Sequence, residues 1–195
     1  MITFFDRDKT LCSAWNVYLT DVNYPHQILN CNFQDLPQQD YLVNAGNSFG
    51  LLDGGIDYYI GEYWKKNNIN TYESYKKDLR DYVPVPVGKS MIFLAETKIF
   101  RNLCLTPTMI WPEDISKTFN VFYATLGAIN EINLKTLYNN HFRLDVAICG
   151  LGTGCGGVDP IDCAKQMNAA FKYYNSAKTG DWDDVKLLKQ ILGEI

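Results

Sequence analysis

Short apolar segments alternate with amphipathic segments along this sequence, and the alternation limits the folds open to the chain. Apolar segments predict β-strands at residues 2–5, 27–31, 41–44, 90–95, 102–106 and 145–149. Apolar residues at spacings of three and four predict helices at residues 10–19, 55–66, 71–81, 115–137, 160–174 and 183–192. Strands that alternate with helices in this way predict an α/β fold, with a mixed, mostly parallel sheet between helical layers.

Two of the predicted strands show no polar alternation. Leu42-Val43 and Val146-Ala147-Ile148-Cys149 are continuously apolar, which is typical of central strands covered on both faces. Ligands of such sheets bind at the carboxyl ends of the central strands. The loops that follow these two segments are therefore the first place to expect a functional site.

Length and composition favour one domain over residues 1–195. The chain has 195 residues, of which 47% are hydrophobic, enough for a sizeable core. The best candidate boundary, residues 83–88, is too short and too apolar for a flexible linker. We interpret it as a connection that enters a strand.

The charge balance disfavours a nucleic-acid partner. The net charge is −4, with both signs interspersed, whereas phosphate-backbone binders carry a clustered basic face. A small anionic ligand remains compatible, because backbone amides bind phosphate without net positive charge. The N-terminus lacks a secretory pattern, and no run approaches the ~18 apolar residues of a membrane span. We expect an intracellular protein, cytoplasmic or also nuclear, with no membrane partner.

The cysteines and histidines do not form a metal-binding pattern. The six cysteines are scattered without a CxxC pair, and neither His26 nor His141 lies near a cysteine cluster. This spacing argues against structural zinc, and thiols inside apolar segments indicate a reducing compartment. We predict neither a metal nor a cofactor.

Both continuously apolar segments lead into glycine-rich loops that open helices. The first loop, residues 44–57, carries Asn44 and Asn47, which donate and accept hydrogen bonds, and the pair Gly54-Gly55 at a helix start. The second, residues 150–160, begins with five glycines in eight residues, so its amides can form an anion-holding concavity. A tight turn explains either loop alone. Two such loops at equivalent strand ends favour a phosphate site.

Two common nucleotide sites do not fit the second loop. A P-loop requires Gly-Lys followed by Ser or Thr, which the loop lacks. Residues 152–157 match GxGxxG, but that pattern opens a βαβ unit with an acidic residue about 20 positions further on. Only helix-like sequence follows here, so a dinucleotide-dependent dehydrogenase is rejected.

Taken together, the two loops resemble those of the macro domain family. The family's Val-Asn-Ala-Ala-Asn strand end and Gly-Gly-Gly-Val-Asp run are similar to residues 43–47 (Val-Asn-Ala-Gly-Asn) and 53–57 (Asp-Gly-Gly-Ile-Asp). Its Ser/Gly-Thr-Gly loop is similar to residues 152–157 (Gly-Thr-Gly-Cys-Gly-Gly). The resemblance covers residues 26–180, with residues 1–25 as an N-terminal elaboration. It implies a divergent macro domain, a three-layer α/β/α fold whose cleft binds ADP-ribose.

The resemblance also implies roles for individual residues. Asn47 holds the distal ribose, and Asp57 matches the acid that hydrolytic members place near the anomeric carbon, so these two are the candidate catalytic residues. The other implied ligand contacts are Asn32, Asn44, Ala45, Gly54, Gly55, Ile56, Gly150, Leu151, Gly152, Thr153, Gly154, Cys155, Gly156 and Gly157.

Two positions depart from the family pattern. Asn32 stands where an aspartate accepts a hydrogen bond from the adenine amine, and an amide oxygen accepts less strongly than a carboxylate. Cys155 occupies the stretch where an aromatic residue is usual. Both differences weaken the expectation of adenine selectivity.

Several interpretations remain open. Asp57 also suits the first turn of a helix, where interaction with the macrodipole stabilises the helix by about 0.3–1 kcal/mol. Cys155 is a less favoured nucleophile, because no histidine is near it in the sequence. Phe49, Tyr58 and Tyr59 suit either stacking on a ligand or core packing. The leading hypothesis is hydrolysis of an ADP-ribose ester, phosphate or glycosidic bond, with an ADP-ribose derivative or an ADP-ribosylated protein as partner. The alternatives are a non-catalytic reader of ADP-ribose and a degenerate domain used for protein contacts.

Overall fold

The computed structural model describes residues 1–133 and 144–195, which form a mixed six-stranded sheet covered by helices. The strands are β1 (Ile2–Asp6), β2 (His26–Asn30), β3 (Gln39–Asn47), β4 (Met91–Leu94), β5 (Phe100–Met109) and β6 (Val146–Cys149). The helices are α1 (Lys9–Tyr18), α2 (Gly55–Asn67), α3 (Ile69–Leu79), α4 (Asn120–Glu131), α5 (Pro160–Asn175) and α6 (Trp182–Gly193). The predicted α/β class is confirmed.

The order of the strands is β2-β1-β6-β3-β5-β4. Neighbouring strands are parallel except β4, which runs antiparallel to β5 at one edge. β6 lies between β1 and β3, and all four of its residues are buried, as its apolar sequence predicts. The carboxyl ends of the five parallel strands therefore meet along one side of the sheet, in the order β2, β1, β6, β3, β5.

Two separate groups of helices cover the sheet. In the first, α5 packs between α1 and α4, and Phe4 of β1 contacts Trp15 and Phe171. In the second, α2 packs on α3 and β3, and Trp64 contacts Phe100 of β5. The sheet between them completes the predicted three-layer arrangement. In the part of the chain that the structure describes, no helix is long and apolar enough to cross a membrane.

β3 and β5 extend beyond their predicted bounds toward their carboxyl ends. The prediction stopped β3 at Asn44 and β5 at Thr106, where polar or small residues begin. Backbone pairing nevertheless continues, with Ala45 opposite Thr106 and Gly46 opposite Pro107. Hydrogen bonding between strands does not require apolar side chains. A pattern of apolar residues therefore does not predict these polar strand ends. It carries the two strands into the site described below.

The helix predicted at residues 115–137 begins later, at Asn120. The backbone N–H of Ile115 donates to the carbonyl of Gly156 at 2.9 Å, and the hydroxyl of Thr118 donates to the carbonyl of Ile115 at 2.8 Å. The residues before Asn120 therefore form a turn that braces the second glycine-rich loop. The end of that predicted helix and His141 lie outside the described residues.

The N-terminal segment is an interior part of the sheet. β1 pairs with β2 on one side and with β6 on the other, and α1 packs against β2 and α5. Residues 83–88 also pack on the domain: Val85 is buried, and its N–H donates to the carbonyl of Ser48 at 2.8 Å. β1 therefore brings its carboxyl end to the same side of the sheet as the two glycine-rich loops.

Candidate functional site

A cavity of about 650 Å³ opens along the side of the sheet where the parallel strands end. Its wall comes from the segments that follow β1, β2, β3, β5 and β6. Most of the residues predicted from the sequence line it: Asn32, Ala45, Asn47, Gly54, Gly55, Ile56, Asp57, Gly150, Gly152, Thr153, Gly154, Cys155 and Gly156. The structure thus brings both glycine-rich loops, Asn47 and Asp57 together around one space.

Three residues predicted as ligand contacts do not line the cavity. Asn44 and Leu151 are fully buried beneath it. Gly157 is exposed on the far side of its loop, where an added Cβ would lie 3.5 Å from a carboxyl oxygen of Asp114. The resemblance implies a ligand contact at every position from Gly150 to Gly157 and at Asn44, although successive residues of a loop or strand face different directions.

Other lining residues were not predicted as ligand contacts. Most follow strand ends or flank the matched motifs: Phe5, Asp6, Arg7, Asp8, Cys31, Phe33, Gln34, Gly46, Asp53, Tyr59, Thr108, Met109 and Pro112. β1 is parallel to β6, so its carboxyl end reaches the same side of the sheet and brings Asp6, Arg7 and Asp8 to the cavity. The position of a residue at the end of a parallel strand is the signal that identifies these three.

The first glycine-rich loop is held in place by hydrogen bonds on both of its sides. Oδ1 of Asn47 accepts from the N–H of Phe49 at 2.9 Å, which orients the Asn47 side chain. The buried hydroxyl of Tyr75 donates to the carbonyl of Gly50, tying the loop to α3. Asn47 is therefore presented to the cavity by a braced turn.

Helix α2 starts at the cavity with an open N-terminus. Its N-cap, Gly54, offers no side chain to the first-turn N–H groups, and a Cβ at Gly54 or Gly55 would meet nothing within 4 Å. Gly55 has φ +57°, a left-handed conformation that favours glycine. The uncapped N–H groups and the positive end of the helix dipole suit an anion.

The second glycine-rich loop folds back on itself. The N–H of Gly157 donates to the carbonyl of Gly154, and the N–H of Val158 to that of Gly152, each at 3.1 Å. A Cβ at Gly156 would lie only 2.6 Å from the Gly152 carbonyl oxygen, whereas a Cβ at Gly154 would meet nothing within 4 Å. The loop is thus close-packed at its base and open at Gly154, which lines the cavity.

Asp57 is a buried carboxyl in the wall of the cavity. It is 5% exposed, and loss of water contact raises its pKa to about 7, while the Asn44 amide lowers the pKa and Asp53 raises it. A Cβ at Gly46 would lie 3.4 Å from Oδ2 of Asp57 and 2.9 Å from Leu105, so a residue without a side chain gives this carboxyl room. A carboxyl with this pKa exchanges protons near neutral pH.

The opposite end of the cavity is also acidic. Oδ1 of Asp6 accepts from the N–H of Asp8 at 2.9 Å, and Oδ2 lies against the second loop, 2.6 Å from where a Cβ of Gly150 would be. The side-chain amide of Asn32 donates to the carboxylate of Asp35 at 3.2 Å. Hydrogen-bond acceptors therefore predominate at this end.

Cys155, Phe49 of the first loop and two tyrosines of α2 lie on the surface. Phe49, Tyr58 and Tyr59 are exposed, and the rings of the two tyrosines meet edge to face with centroids 5.5 Å apart. Of these three, Tyr59 lines the cavity. Cys155 is an exposed free thiol. Within residues 1–133 and 144–195, no group of three or more His, Cys, Asp or Glu side chains could hold a metal ion.

We compared the sequence and the structure with those of known proteins. No family model matches the sequence. An uncharacterized protein of Aquifex aeolicus (strain VF5) is 30% identical over 128 residues, which cover 66% of this chain and 70% of that protein.

Solved structures show a more informative similarity. The macrodomain of Mycobacterium tuberculosis DarG is 21% identical, with a TM-score of 0.54 over 70% of this chain and 84% of that one. The Oceanobacillus iheyensis macrodomain is 15% identical, with a TM-score of 0.56 over 82% of this chain and 86% of that one. Thermosipho africanus DarTG, solved in complex with ADP-ribose, is 16% identical, with a TM-score of 0.50 over 83% of this chain and 44% of that one.

Proposed function

The chain has the macrodomain fold, and from this premise we propose that it binds ADP-ribose and hydrolyses an ADP-ribose derivative. One observation carries the proposal: two glycine-rich loops border a single cavity that is also lined by Asn47 and Asp57. Loop amides and a helix N-terminus suit a diphosphate, and an asparagine suits ribose hydroxyls. The ADP-ribose complex of the similarly folded Thermosipho africanus DarTG supports the ligand class.

The order of the strands predicts how ADP-ribose lies in the cavity. Neighbouring strands are about 4.8 Å apart, so the three steps from β2 to β3 span roughly 14 Å. We place the diphosphate between the loop after β6 and the start of α2, and the distal ribose at Asn47, the last residue of β3. The adenosine then extends over β1 and β2. Asp6 and Asn32 are then the polar groups nearest the adenosine.

In the proposed reaction, Asp57 accepts a proton from the attacking water and later releases it. Ionised Asp57 takes a proton from water as the water oxygen bonds to the anomeric carbon of the distal ribose. The bond from that carbon to the leaving group breaks, and the proton then passes to the leaving group. If a substrate phosphate positions the water instead, Asp57 orients the ribose. A pKa of about 7 leaves both forms of Asp57 available at neutral pH.

Isothermal titration with ADP-ribose, with AMP as comparison, tests the binding step. We expect micromolar affinity for ADP-ribose and weaker binding of AMP, because AMP lacks the second phosphate and the distal ribose. Absence of both heat and thermal stabilisation with ADP-ribose would contradict the proposed ligand. In that case a role in protein contacts would gain support.

Replacing Asp57 tests the hydrolytic step. Asp57→Ala should abolish turnover of ADP-ribose esters, the terminal phosphate and ADP-ribosylated protein, while the Kd for ADP-ribose stays within about tenfold of the wild-type value. Asp53→Ala is a matched control, because Asp53 is an acidic residue on the same cavity wall but is exposed. Undiminished turnover by Asp57→Ala would rule out the mechanism. Wild-type binding without turnover of any of these substrates would favour a non-catalytic reader.

A further inference from the structure

Asn44 and Asp57 form a buried polar pair at the floor of the cavity. Asn44 lies on β3 and is fully buried, while Asp57 lies in the first turn of α2. A Cβ on Gly46 would lie 3.4 Å from Oδ2 of Asp57, and Asn44 lies two residues before Gly46 on the same face of β3, so the Asn44 side chain faces the Asp57 carboxyl. The Asn44 amide also lowers the pKa of Asp57. Only Asp57 lines the cavity, which leaves Asn44 behind it.

The hydrogen-bonding capacity of this pair is unused. Among the residues that the structure describes, neither Nδ2 nor Oδ1 of Asn44 has a hydrogen-bond partner, and neither does Oδ1 of Asp57. A buried polar group without a partner is destabilising, and a few such groups in a protein call for a specific explanation. Here a buried donor on Asn44 and a buried acceptor on Asp57, the side chain that it faces, are both unpaired.

In the ranges that the structure describes, the other titratable groups near Asp57 offer it no positive charge. They are Asp53 before α2, Tyr75 on α3 and Cys149 on β6. Asp53 raises the pKa of Asp57, and burial raises the pKa values of Tyr75 and Cys149 so that both are neutral at physiological pH. In the described part of the chain, the Asn44 amide is the group that counteracts burial and favours an ionised Asp57.

We propose that Asn44 is a positioning residue, which holds the carboxyl of Asp57 in its working orientation without touching the ligand. The inference rests on the proposed hydrolytic role of Asp57. The amide N–H donates to ionised Asp57 while the carboxylate faces the water, and this bond weakens when Asp57 takes the proton. Asn44 thereby sets both the direction of the carboxylate and the pH at which it becomes available.

Asn44→Leu removes the amide and keeps the same branched shape and number of side-chain heavy atoms. We expect kcat to fall at least tenfold, KM to stay within threefold, and the acid limb of the pH profile of kcat/KM to move up by about one pH unit. At pH 5, where Asp57 is protonated and the bond to its carboxylate is not made, resistance to urea should equal or exceed that of the wild type. A purely structural asparagine would instead lower stability and leave the pH profile in place.

Thr106→Val is the matched control. Thr106 is fully buried on the neighbouring strand β5, and its hydroxyl bonds to the carbonyl of Cys104 at 3.2 Å rather than to Asp57. This variant should leave the pH profile unchanged. If Asn44→Leu does not fold, Asn44→Ser, which shortens the side chain beyond reach of Asp57, is measured in its place with the same expectation.

A carbon-13 NMR titration of the Asp57 carboxyl provides a readout that does not depend on activity. The resonance is assigned by its loss in Asp57→Asn, and its midpoint should rise by about one pH unit in Asn44→Leu. An unchanged midpoint in a folded variant overturns the role of Asn44. If the wild type binds ADP-ribose without turnover, the hydrolytic proposal fails by itself, and the titration still decides whether Asn44 acts on Asp57.

Discussion

At the scale of single residues, close packing determines the shape of the second glycine-rich loop. A Cβ at Gly156 would lie 2.6 Å from the backbone oxygen of Gly152 and 2.7 Å from Ile115. A backbone atom cannot move aside as the end of a side chain can. The loop would therefore have to open, which would also disturb the hydrogen bond from the Ile115 N–H to Gly156.

We predict that Gly156→Ala lowers the free energy of unfolding by about 1–3 kcal/mol, the usual range for overpacking. Gly154→Ala, in the same loop, should change it by less than about 0.5 kcal/mol, because its Cβ would meet nothing within 4 Å. Urea unfolding of the two variants checks the difference. Equal stabilities would show that the loop is less closely packed than the contacts at Gly156 imply.

At the scale of elements, the sequence predicts strands and helices well where they bury an apolar face. β6 and α5 lie within a residue or so of their predicted bounds, because continuous apolarity and an apolar stripe specify them. The polar ends of β3 and β5, and the turn before α4, were missed because backbone pairing and loop contacts hold them. These are non-local interactions that no window of sequence contains.

The candidate site follows the same division. The glycine-rich loops were found from local composition, and Asn47 and Asp57 from the family resemblance. Asp6 was missed because its place in the site depends on β1 lying between β2 and β6. Asn44 was assigned to the ligand because a motif does not state which way a strand residue points. Strand order and side-chain direction are properties of the tertiary structure.

The place of β1 leads to a prediction for Asp6. If adenosine lies over β1 and β2, Asp6→Ala should weaken the binding of ADP and of ADP-ribose by the same factor. We expect about 10- to 100-fold, the effect of losing a hydrogen bond to a charged group. Asn47→Ala should weaken ADP-ribose and leave ADP nearly unchanged, because ADP has no distal ribose. Calorimetry with both ligands on both variants checks this crossed pattern. The opposite pattern would reverse the proposed orientation.

At the scale of the whole molecule, the site binds its proposed anion without a cationic surface. The chain carries a net charge of −4, and within residues 1–133 and 144–195 the charged residues that line the cavity are Arg7 and four aspartates: Asp6, Asp8, Asp53 and Asp57. Attraction between opposite charges is therefore a weak source of affinity. We therefore expect the oriented backbone amides of the second loop and of α2 to supply most of the affinity for the proposed anion.

Asp57 links this site to the stability of the entire domain. Its pKa is about 7 in the folded chain against 3.8 for an unperturbed aspartate, so between these values the folded state holds a proton that the unfolded state has released. The contribution of Asp57 to the free energy of unfolding is fully present below about pH 4 and is lost as the pH rises to about 7. The free energy of unfolding falls by at most about 1.4 kcal/mol per pH unit in this range. This is the reverse of an aspartate in a salt bridge.

We predict that the free energy of unfolding of the wild type falls relative to that of Asp57→Asn between about pH 5 and pH 7, by on the order of 2–3 kcal/mol. The asparagine imitates the protonated carboxyl and cannot titrate, so it removes this one source of pH dependence and leaves all others in place. Urea unfolding of both proteins at both pH values gives the difference directly. If both proteins show the same pH dependence, Asp57 is already ionised throughout this range. A hydrogen bond from Asn44 would then be needed to stabilise the buried carboxylate.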